Sequence, residues 1–265
     1  MRRFLLTAID GVRYDRLLAT STPSIDAIAE RGFLTTAQIP PGQPTMSAAQ
    51  WATVLTGVWS AEHGVRRNWL RSRRLAAHPD LLELVQREHP GAEVYAASSW
   101  PVLGLRAGAG PILRTPTFVP YRRLGGLASW IRADEAVVED ATRALRERDL
   151  VAAFVYLGQV DMAGHLHDTG ARYVRALERA DGLVGRLLAA IADRREEWTV
   201  LVTTDHGHRD GGGHGTRTPA ETTVWFAGDR RVPGWDSLDS SRVVDFALAA
   251  LRAQPSSASR IRTWT

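Results

Sequence analysis

Hydrophobic residues fall into short continuous runs that alternate along the chain with longer segments of helical periodicity. The first run covers residues 4–9, is apolar at nearly every position and stops at Asp10-Gly11. A run without alternating polar positions is typical of a strand that is buried on both faces. Further strands are predicted at residues 93–97, 150–157, 198–203 and 222–227.

The segments between these runs carry apolar residues three or four positions apart, which predicts amphipathic helices. The helix at 23–31 has Thr22 as a candidate N-cap and Gly32 as its stop signal. Further helices are predicted at residues 46–55, 81–88, 130–148, 171–192 and 241–252. Strands that alternate with helices predict an α/β sandwich with a mainly parallel central β-sheet and helices on both faces.

The length of the chain and its content of hydrophobic residues suit one elaborated domain. With 265 residues, of which 44% are hydrophobic, the chain can bury a sizeable core. We therefore expect a single α/β domain over residues 1–265. The segment at about 98–128 is rich in Gly and Pro and has no sustained period, so it is predicted to be irregular and able to act as a lid.

Three aspartates follow predicted strands at their carboxyl ends. Asp10 ends the first run, Asp161 follows the strand at 150–157, and Asp205 follows the strand at 198–203. Ligands of parallel α/β sheets bind beyond the carboxyl ends of the strands. The sequence therefore predicts that these three carboxylates lie together at one edge of the sheet.

Five of the eight histidines lie between His165 and His214, close to these carboxylates. Asp161 and His165 are four positions apart, a spacing that places both on one face of a helical turn. His206 directly follows Asp205, and His214 lies in a run of glycines. Each pair alone also fits an ordinary turn. Together, three carboxylates and three histidines match the ligands of two zinc ions with open positions.

Composition excludes several other chemistries. Cysteine is absent, so there is no thiolate nucleophile and no sulfur ligand. All 33 basic residues are arginines, which excludes a Schiff-base lysine and a Walker-type phosphate loop. The net charge is +4, but the arginines are spread along the chain, so no stable nucleic-acid partner is expected. An arginine-rich nucleic-acid-binding domain without enzymatic activity is the competing hypothesis.

The N-terminal apolar run ends at Asp10, too early for a secretory signal, and no apolar stretch approaches the roughly 20 residues that span a bilayer. We predict a cytoplasmic protein without a membrane partner. The sequence does not determine its oligomeric state.

Thr45 immediately precedes the helix predicted at 46–55. The free N–H groups and the dipole of a helix N-terminus favour an anion at this position. The ordered set formed by Asp10-Gly11, Thr45, Asp161 with His165, Thr204-Asp205-His206-Gly207 and His214-Gly215 resembles the alkaline phosphatase superfamily. Within it, the chain is similar to the type I phosphodiesterase/nucleotide pyrophosphatase family in a compact, bacterial-type form.

The resemblance implies two divalent metal ions and a covalent mechanism. One ion would be held by Asp161, His165 and His214. The other would be held by Asp10, Asp205 and His206, with the Thr45 oxygen as a further ligand. Zinc is the expected metal, and Mn²⁺, Fe²⁺ and Co²⁺ suit the same donors. Thr45 would attack phosphorus and become transiently phosphorylated.

Asn68 corresponds to a position at which this family often carries an asparagine that hydrogen-bonds a phosphate oxygen. Thr45 together with Asn68 favours a phosphodiesterase or nucleotide pyrophosphatase that acts on a small phosphate ester, with a nucleotide as one candidate. Arg66 and Arg67 leave open a phosphomonoesterase, because a dianionic phosphoryl group benefits from a guanidinium. A phosphonate hydrolase or a phosphoryl transferase with the same metals is a further alternative.

Overall fold

A computed structural model describes residues 2–68, 72–104, 111–115, 117–120, 125–232, 234–235 and 237–253. Within these residues, seven strands form one sheet in the order β2-β7-β6-β1-β5-β3-β4. The strands are β1 (Arg3–Ile9), β2 (Phe33–Gln38), β3 (Glu93–Ser98), β4 (Thr117–Phe118), β5 (Leu150–Leu157), β6 (Trp198–Thr203) and β7 (Thr223–Gly228).

The sheet is mainly parallel, as predicted. The strands β4, β3, β5, β1 and β6 run in one direction, whereas β7 is antiparallel to β6 and β2 is antiparallel to β7. The sequence pattern missed β2 because this edge strand is short, half-exposed and carries two threonines. It also missed β4, which has only two residues and lies in the segment at 98–128 predicted to be irregular. Residues 105–110, 116 and 121–124 of that segment lie outside the described residues.

Helices cover both faces of the sheet, which confirms the predicted α/β fold. They are α1 (Tyr14–Ala19), α2 (Pro23–Arg31), α3 (Ser47–Thr56), α4 (Ser60–His63), α5 (Leu81–Glu88), α6 (Leu127–Glu147), α7 (Gln159–His167), α8 (Ala171–Ala192), α9 (Pro219–Thr222) and α10 (Val243–Arg252). Short 3-10 turns occur at Arg73–Ala77, Pro101–Leu103 and Ser240–Arg242.

Strand β1 shows why its sequence is apolar throughout. Phe4 and Leu6 pack into the cluster formed with α3, α5 and α10, whereas Leu5 and Ile9 pack into the opposite cluster, formed with α2, α6 and α8. Successive side chains of a strand point to opposite faces, so a strand in the middle of a covered sheet needs apolar residues at every position.

The predicted bounds of α2 are confirmed, and Thr22 occupies the N-cap position, but its side chain does not cap the helix. Thr22 makes no capping hydrogen bond with its side chain. Instead, the carboxylate of Asp181 on α8 accepts hydrogen bonds from Ser24 N (3.1 Å) and Ile25 N (2.8 Å). A carboxylate from a neighbouring helix therefore satisfies the free N–H groups at the start of α2.

The central strands β6, β1 and β5 are adjacent and parallel, so their carboxyl ends meet at one edge of the sheet. Asp10 follows β1, Asp205 follows β6 by two residues, and β5 leads into α7, which carries Asp161. The topology therefore brings the three aspartates together, as the sequence predicts. Among the described residues, no helix is both long and apolar enough to cross a bilayer.

Candidate active site

Two groups of carboxylates and imidazoles lie at this edge. Asp10, Asp205 and His206 form one group, and Asp161, His165 and His214 form the other. Within each group, the potential ligand atoms lie within 4.8 Å of one another. The structure thus places the six residues in the two sets predicted from the sequence, and their role as metal ligands remains a prediction.

The Asp10 group is fully buried. Trp51 Nε1 donates to Asp10 Oδ2 over 2.9 Å, and the Tyr156 hydroxyl donates to the same oxygen. His206 Nε2 lies 3.2 Å from Asp205 Oδ2 and 3.6 Å from Asp10 Oδ1. The protein holds these side chains rigidly, because each carboxylate accepts at least one hydrogen bond from the surrounding framework.

Burial dominates the electrostatics of this group. It raises the pKa of Asp10 to about 8, with a contribution from the negative charge of Asp161. Burial also raises the pKa of Asp205 well above its usual range and lowers the pKa of His206 well below it. A cation among them would favour the ionised form of the two carboxylates and the neutral form of the imidazole, which are the forms that bind a metal ion.

The Asp161 group lies on α7 and on the loop after β6. Asp161 Oδ1 is 3.4 Å from His165 Nε2 and 3.7 Å from His214 Nε2. Burial acts to raise the pKa of Asp161, but the neighbouring imidazoles, above all that of His208, outweigh it and hold the pKa well below its usual range. His214 Nδ1 lies 2.5 Å from the Thr45 carbonyl oxygen, a contact that assigns the proton to Nδ1 and leaves Nε2 free as a ligand.

Thr45 lies just before α3, whose N-cap is Met46, which confirms its predicted place at a helix start. The residue is 1% exposed, and its Oγ1 has no hydrogen-bond partner among the described residues. Two positions later, Ser47 Oγ lies 3.2 Å from His206 Nε2. The segment at 45–47 therefore contacts both groups, Thr45 through His214 and Ser47 through His206.

The residues present fit divalent metal ions. Thr45 Oγ1 is a buried atom without a hydrogen-bond partner in the described part of the chain, and Asp161 Oδ1 and Asp205 Oδ2 accept no well-aligned hydrogen bond although imidazole nitrogens lie 3.0 Å and 3.2 Å away. Such atoms are costly unless something binds them. The potential metal-ligand atoms of the site are carboxylate and hydroxyl oxygens together with imidazole nitrogens, a set that zinc and similar cations accept.

Asn68 lies beside the start of α3. Its Oδ1 accepts a hydrogen bond from Ala48 N over 3.1 Å, in place of the capping bond that Met46 does not make. The carbonyl oxygen of the side-chain amide is thereby committed to the helix, and the NH₂ group remains as the donor. The predicted contact with a phosphate oxygen is compatible with this orientation.

Substitution of Asn68 by Asp is expected to separate the two functions of this side chain. Asn68→Asp keeps the oxygen that accepts from Ala48 N but lacks the donor, so we expect near-normal stability and a turnover about 10²- to 10³-fold lower. Asn68→Ala loses the cap as well and should unfold with about 1 kcal/mol less free energy. Denaturant unfolding and steady-state kinetics measure both effects. Normal turnover of Asn68→Asp would refute a contact with substrate.

The sequence alone did not assign a role to His208. It is fully buried, and its Nε2 lies 3.0 Å from Asp161 Oδ1. Glycines make room for the ring, since a Cβ at Gly11 or Gly164 would lie 2.7 Å or 2.6 Å from its atoms. The sequence signal was only a third histidine close to Asp205, which fits an exposed loop equally well. With His206 and Asp161, His208 forms a third potential ligand group.

Asp134 was also missed, because it lies within the charged pattern of α6. Its buried carboxylate accepts from Gly158 N and Gln159 N, both over 2.9 Å. These N–H groups open α7, so Asp134 caps the helix that carries Asp161.

Loss of this cap should destabilise the fold. Asp134→Ala leaves Gln159 N unpaired and leaves Gly158 N with only Ser99 Oγ (3.1 Å) as its acceptor, so it should lower the free energy of unfolding by about 1–3 kcal/mol. Glu135→Ala, at the neighbouring exposed position of α6, is the matched control and should change little. Denaturant unfolding measures both variants, and equal stability of the two would contradict the capping role.

The raised pKa of Asp10 predicts a pH dependence for protein stripped of metal by chelation. The folded-state pKa of about 8 exceeds the ordinary value of 3.8, so the folded state retains a proton that the unfolded state loses. Stability should therefore fall as the pH rises from about 4 through about 8. Asp10→Asn should flatten this slope in thermal unfolding, and Zn²⁺ should displace the proton on binding. An unchanged slope in Asp10→Asn would contradict the assignment.

Comparisons with known proteins match this chain to one protein family. The sequence profile described as type I phosphodiesterase / nucleotide pyrophosphatase matches residues 4–260. Human ectonucleotide pyrophosphatase/phosphodiesterase family member 7 is 26% identical over 220 residues, which cover 77% of this chain and 47% of that protein. The rat protein of the same name is 23% identical, with 77% of this chain and 49% of that protein covered. The chain thus spans about half the length of these curated relatives.

Solved structures share the fold. A 2-O GAG sulfatase superposes with a TM-score of 0.72 at 14% identity and covers 97% of this chain and 72% of its own. Phosphonoacetate hydrolase from Sinorhizobium meliloti has a TM-score of 0.69 at 14% identity, with coverages of 94% and 96%. Murine ectonucleotide pyrophosphatase/phosphodiesterase 5 has a TM-score of 0.56 at 19% identity, with coverages of 78% and 57%.

Proposed function

We propose a function for this chain on the premise that it belongs to the type I phosphodiesterase/nucleotide pyrophosphatase family, whose profile matches residues 4–260. The proposed reaction is hydrolysis of a phosphate ester in which Thr45 Oγ1 attacks phosphorus. The observation that carries this proposal is the buried Thr45 hydroxyl, which has no hydrogen-bond partner among the described residues and belongs to a segment that contacts both Asp/His groups.

Two divalent ions, with zinc as the proposed metal, would be held by the two groups. Asp161, His165 and His214 would hold one ion. Asp10, Asp205 and His206 would hold the other, together with the Thr45 oxygen. When bound, such ions lower the pKa of a coordinated hydroxyl and neutralise charge on phosphoryl oxygens.

The side chains of the chain itself orient the reaction. His214 holds the carbonyl of Thr45, and the positive end of the α3 dipole, directly after Thr45, would favour developing negative charge there. The bond from Thr45 Oγ1 to phosphorus forms as the bond to the leaving group breaks, the Thr45 proton is lost to solvent, and the leaving oxygen takes up a proton from solvent. Water then cleaves the threonyl ester and restores the hydroxyl. The Asn68 amide would donate to a non-bridging oxygen of the phosphoryl group.

We favour diesters and pyrophosphates over monoesters as substrates. Thr45 with Asn68 supports this choice, as do the names of the curated relatives. A structure of murine ectonucleotide pyrophosphatase/phosphodiesterase 5 in an inactive threonine-to-alanine form contains AMP, at 18% identity and a TM-score of 0.56. A nucleotide is therefore the first candidate ligand to test.

A phosphonate is the second candidate substrate. The phosphonoacetate hydrolase of Sinorhizobium meliloti matches this chain over nearly the full length of both proteins, whereas the curated relatives are about twice as long. The likeness in size supports a test of phosphonoacetate beside the esters.

Parallel assays of bis-p-nitrophenyl phosphate, p-nitrophenyl phosphate and phosphonoacetate with added Zn²⁺ test these proposals. We expect the highest kcat/KM with the diester. A strong preference for the monoester or the phosphonate would overturn the choice of substrate, and turnover of none of the three would overturn the proposed reaction.

A further inference from the structure

The loop that leads to Thr45 has few hydrogen bonds of its own. Residues 39–45 contain Pro40, Pro41 and Pro44, which have no N–H group, and Gly42 with a φ of +85°. One turn bond joins Gln43 N to the Pro40 carbonyl. Side chains from elsewhere must therefore hold the carbonyl groups of this loop.

One arginine binds three of the seven carbonyl groups of residues 39–45. Arg217 Nη2 donates to the carbonyls of Ile39 (3.0 Å) and Pro40 (2.9 Å), and its Nη1 donates to the carbonyl of Gln43. A guanidinium presents several donors in one rigid plane, so it can hold three carbonyl groups in fixed positions relative to one another. A lysine offers a single point of attachment instead.

The backbone of Arg217 is itself strained. Its φ of +71° lies in the left-handed region, which a residue other than glycine rarely adopts. Such conformations persist only where the surrounding structure enforces them.

Glu221 supplies that constraint. This buried carboxylate accepts hydrogen bonds from Thr216 N (2.8 Å), Thr216 Oγ1 (2.7 Å) and Thr218 N (2.7 Å). Its partners are the residues on either side of Arg217. The Glu221 carbonyl also accepts from Gly207 N over 3.0 Å, which ties this turn to the loop that carries His206.

The same segment holds the end of the loop. His214, three residues before Arg217, contacts the carbonyl of Thr45. Residues 214–221 therefore contain a candidate metal ligand, an arginine that fixes the loop before Thr45, and the glutamate that fixes the arginine. Their joint effect is to set the position of Thr45 relative to both Asp/His groups.

We infer that Arg217 is a positioning residue for the nucleophile, held in its strained conformation by Glu221, and that it aligns Thr45 without contacting substrate. This inference rests on the proposed role of Thr45. Its physical content is separable from catalysis, however, because the loss of the guanidinium should loosen residues 39–45 whatever reaction the protein performs.

Arg217→Ala is expected to lower kcat for bis-p-nitrophenyl phosphate about 10²-fold, the effect of a small misplacement of a reacting group. KM and bound zinc should stay within about threefold of wild type, because the guanidinium contacts neither substrate nor metal. Millimolar guanidinium chloride should restore part of kcat. Amide hydrogen exchange of Gly42, Gln43 and Thr45 should accelerate in Arg217→Ala.

Arg217→Gly relieves the φ strain but removes the same donors, so it should match Arg217→Ala, and Arg217→Lys should fall between these variants and wild type. Arg194→Ala is the matched control. Arg194 lies just before β6, at the end of the sheet opposite to Thr45, and it also donates to a backbone carbonyl, that of Arg146 (2.7 Å). Normal loop exchange together with normal kcat in both Arg217→Gly and Arg217→Ala would overturn the inference. If the wild-type protein does not turn over any of the substrates but loop exchange is still faster in Arg217→Ala than in wild type, only the proposed function is refuted.

Discussion

Thr45→Ala is expected to lose at least about 10³-fold in turnover of a diester substrate, the largest effect of any single substitution in this chain. The side chain is buried, and its hydroxyl oxygen has no hydrogen-bond partner among the described residues, so its loss removes no bond that supports the fold. Stability should therefore stay close to wild type while kcat collapses. Steady-state kinetics beside thermal unfolding separates the two.

Thr45→Ser is the matched control, because it keeps the hydroxyl and removes one methyl group. We expect it to retain measurable turnover with a covalent intermediate. If Thr45→Ala turned over substrate as fast as Thr45→Ser, the hydroxyl would have no role in bond formation and the proposed mechanism would be wrong.

Asp161→Asn is expected to show the second-largest effect. Asp161 Oδ1 is the oxygen on which the site converges, with His165, His208 and His214 all within 3.7 Å. The amide has nearly the same shape but lacks the charge that balances a divalent cation. Loss of a residue that only hydrogen-bonds a metal ligand lowers metal affinity about 10- to 100-fold. Because Asp161 is proposed as a ligand itself, we expect a larger loss of zinc affinity and a parallel loss of turnover.

Asp168→Asn is the control on the same segment. Asp168 is exposed, and its Oδ1 accepts a hydrogen bond from Gly170 N over 2.6 Å, which the side-chain oxygen of asparagine can also accept. Equilibrium dialysis and elemental analysis should show two zinc ions in wild type and in Asp168→Asn, and fewer in Asp161→Asn. Full zinc content in Asp161→Asn would contradict the ligand assignment.

The sequence predicted the parts of this fold that follow from chain-local patterns. The apolar run before Asp10 is continuous because β1 is covered on both faces, and that same burial places Asp10 at the carboxyl end of a central strand. Asp161 and His165 could be paired because one helical turn separates them. In these cases the signal lies within a few residues of the feature.

The contributions that were missed come from residues distant in the sequence. Asp134 caps α7 from another helix, and the side chain of Asp181, not that of Thr22, accepts from the first N–H groups of α2. Arg217 binds carbonyl groups more than 170 residues away. The edge strand β2 pairs with β7, almost 190 residues later in the chain, and its half-exposed pattern resembles a loop. Only the folded chain brings such partners together.

The stereochemical course at phosphorus shows whether Thr45 forms a covalent bond to the substrate. The substrate for this test is a phosphorothioate diester that is chiral at phosphorus, hydrolysed in oxygen-18 water. The configuration of the product shows whether one or two displacements occur. Attack by Thr45 followed by attack of water comprises two in-line displacements. Each displacement inverts the configuration at phosphorus, so we predict net retention. Net inversion would mean that water attacks the substrate directly, and it would contradict a covalent role for Thr45.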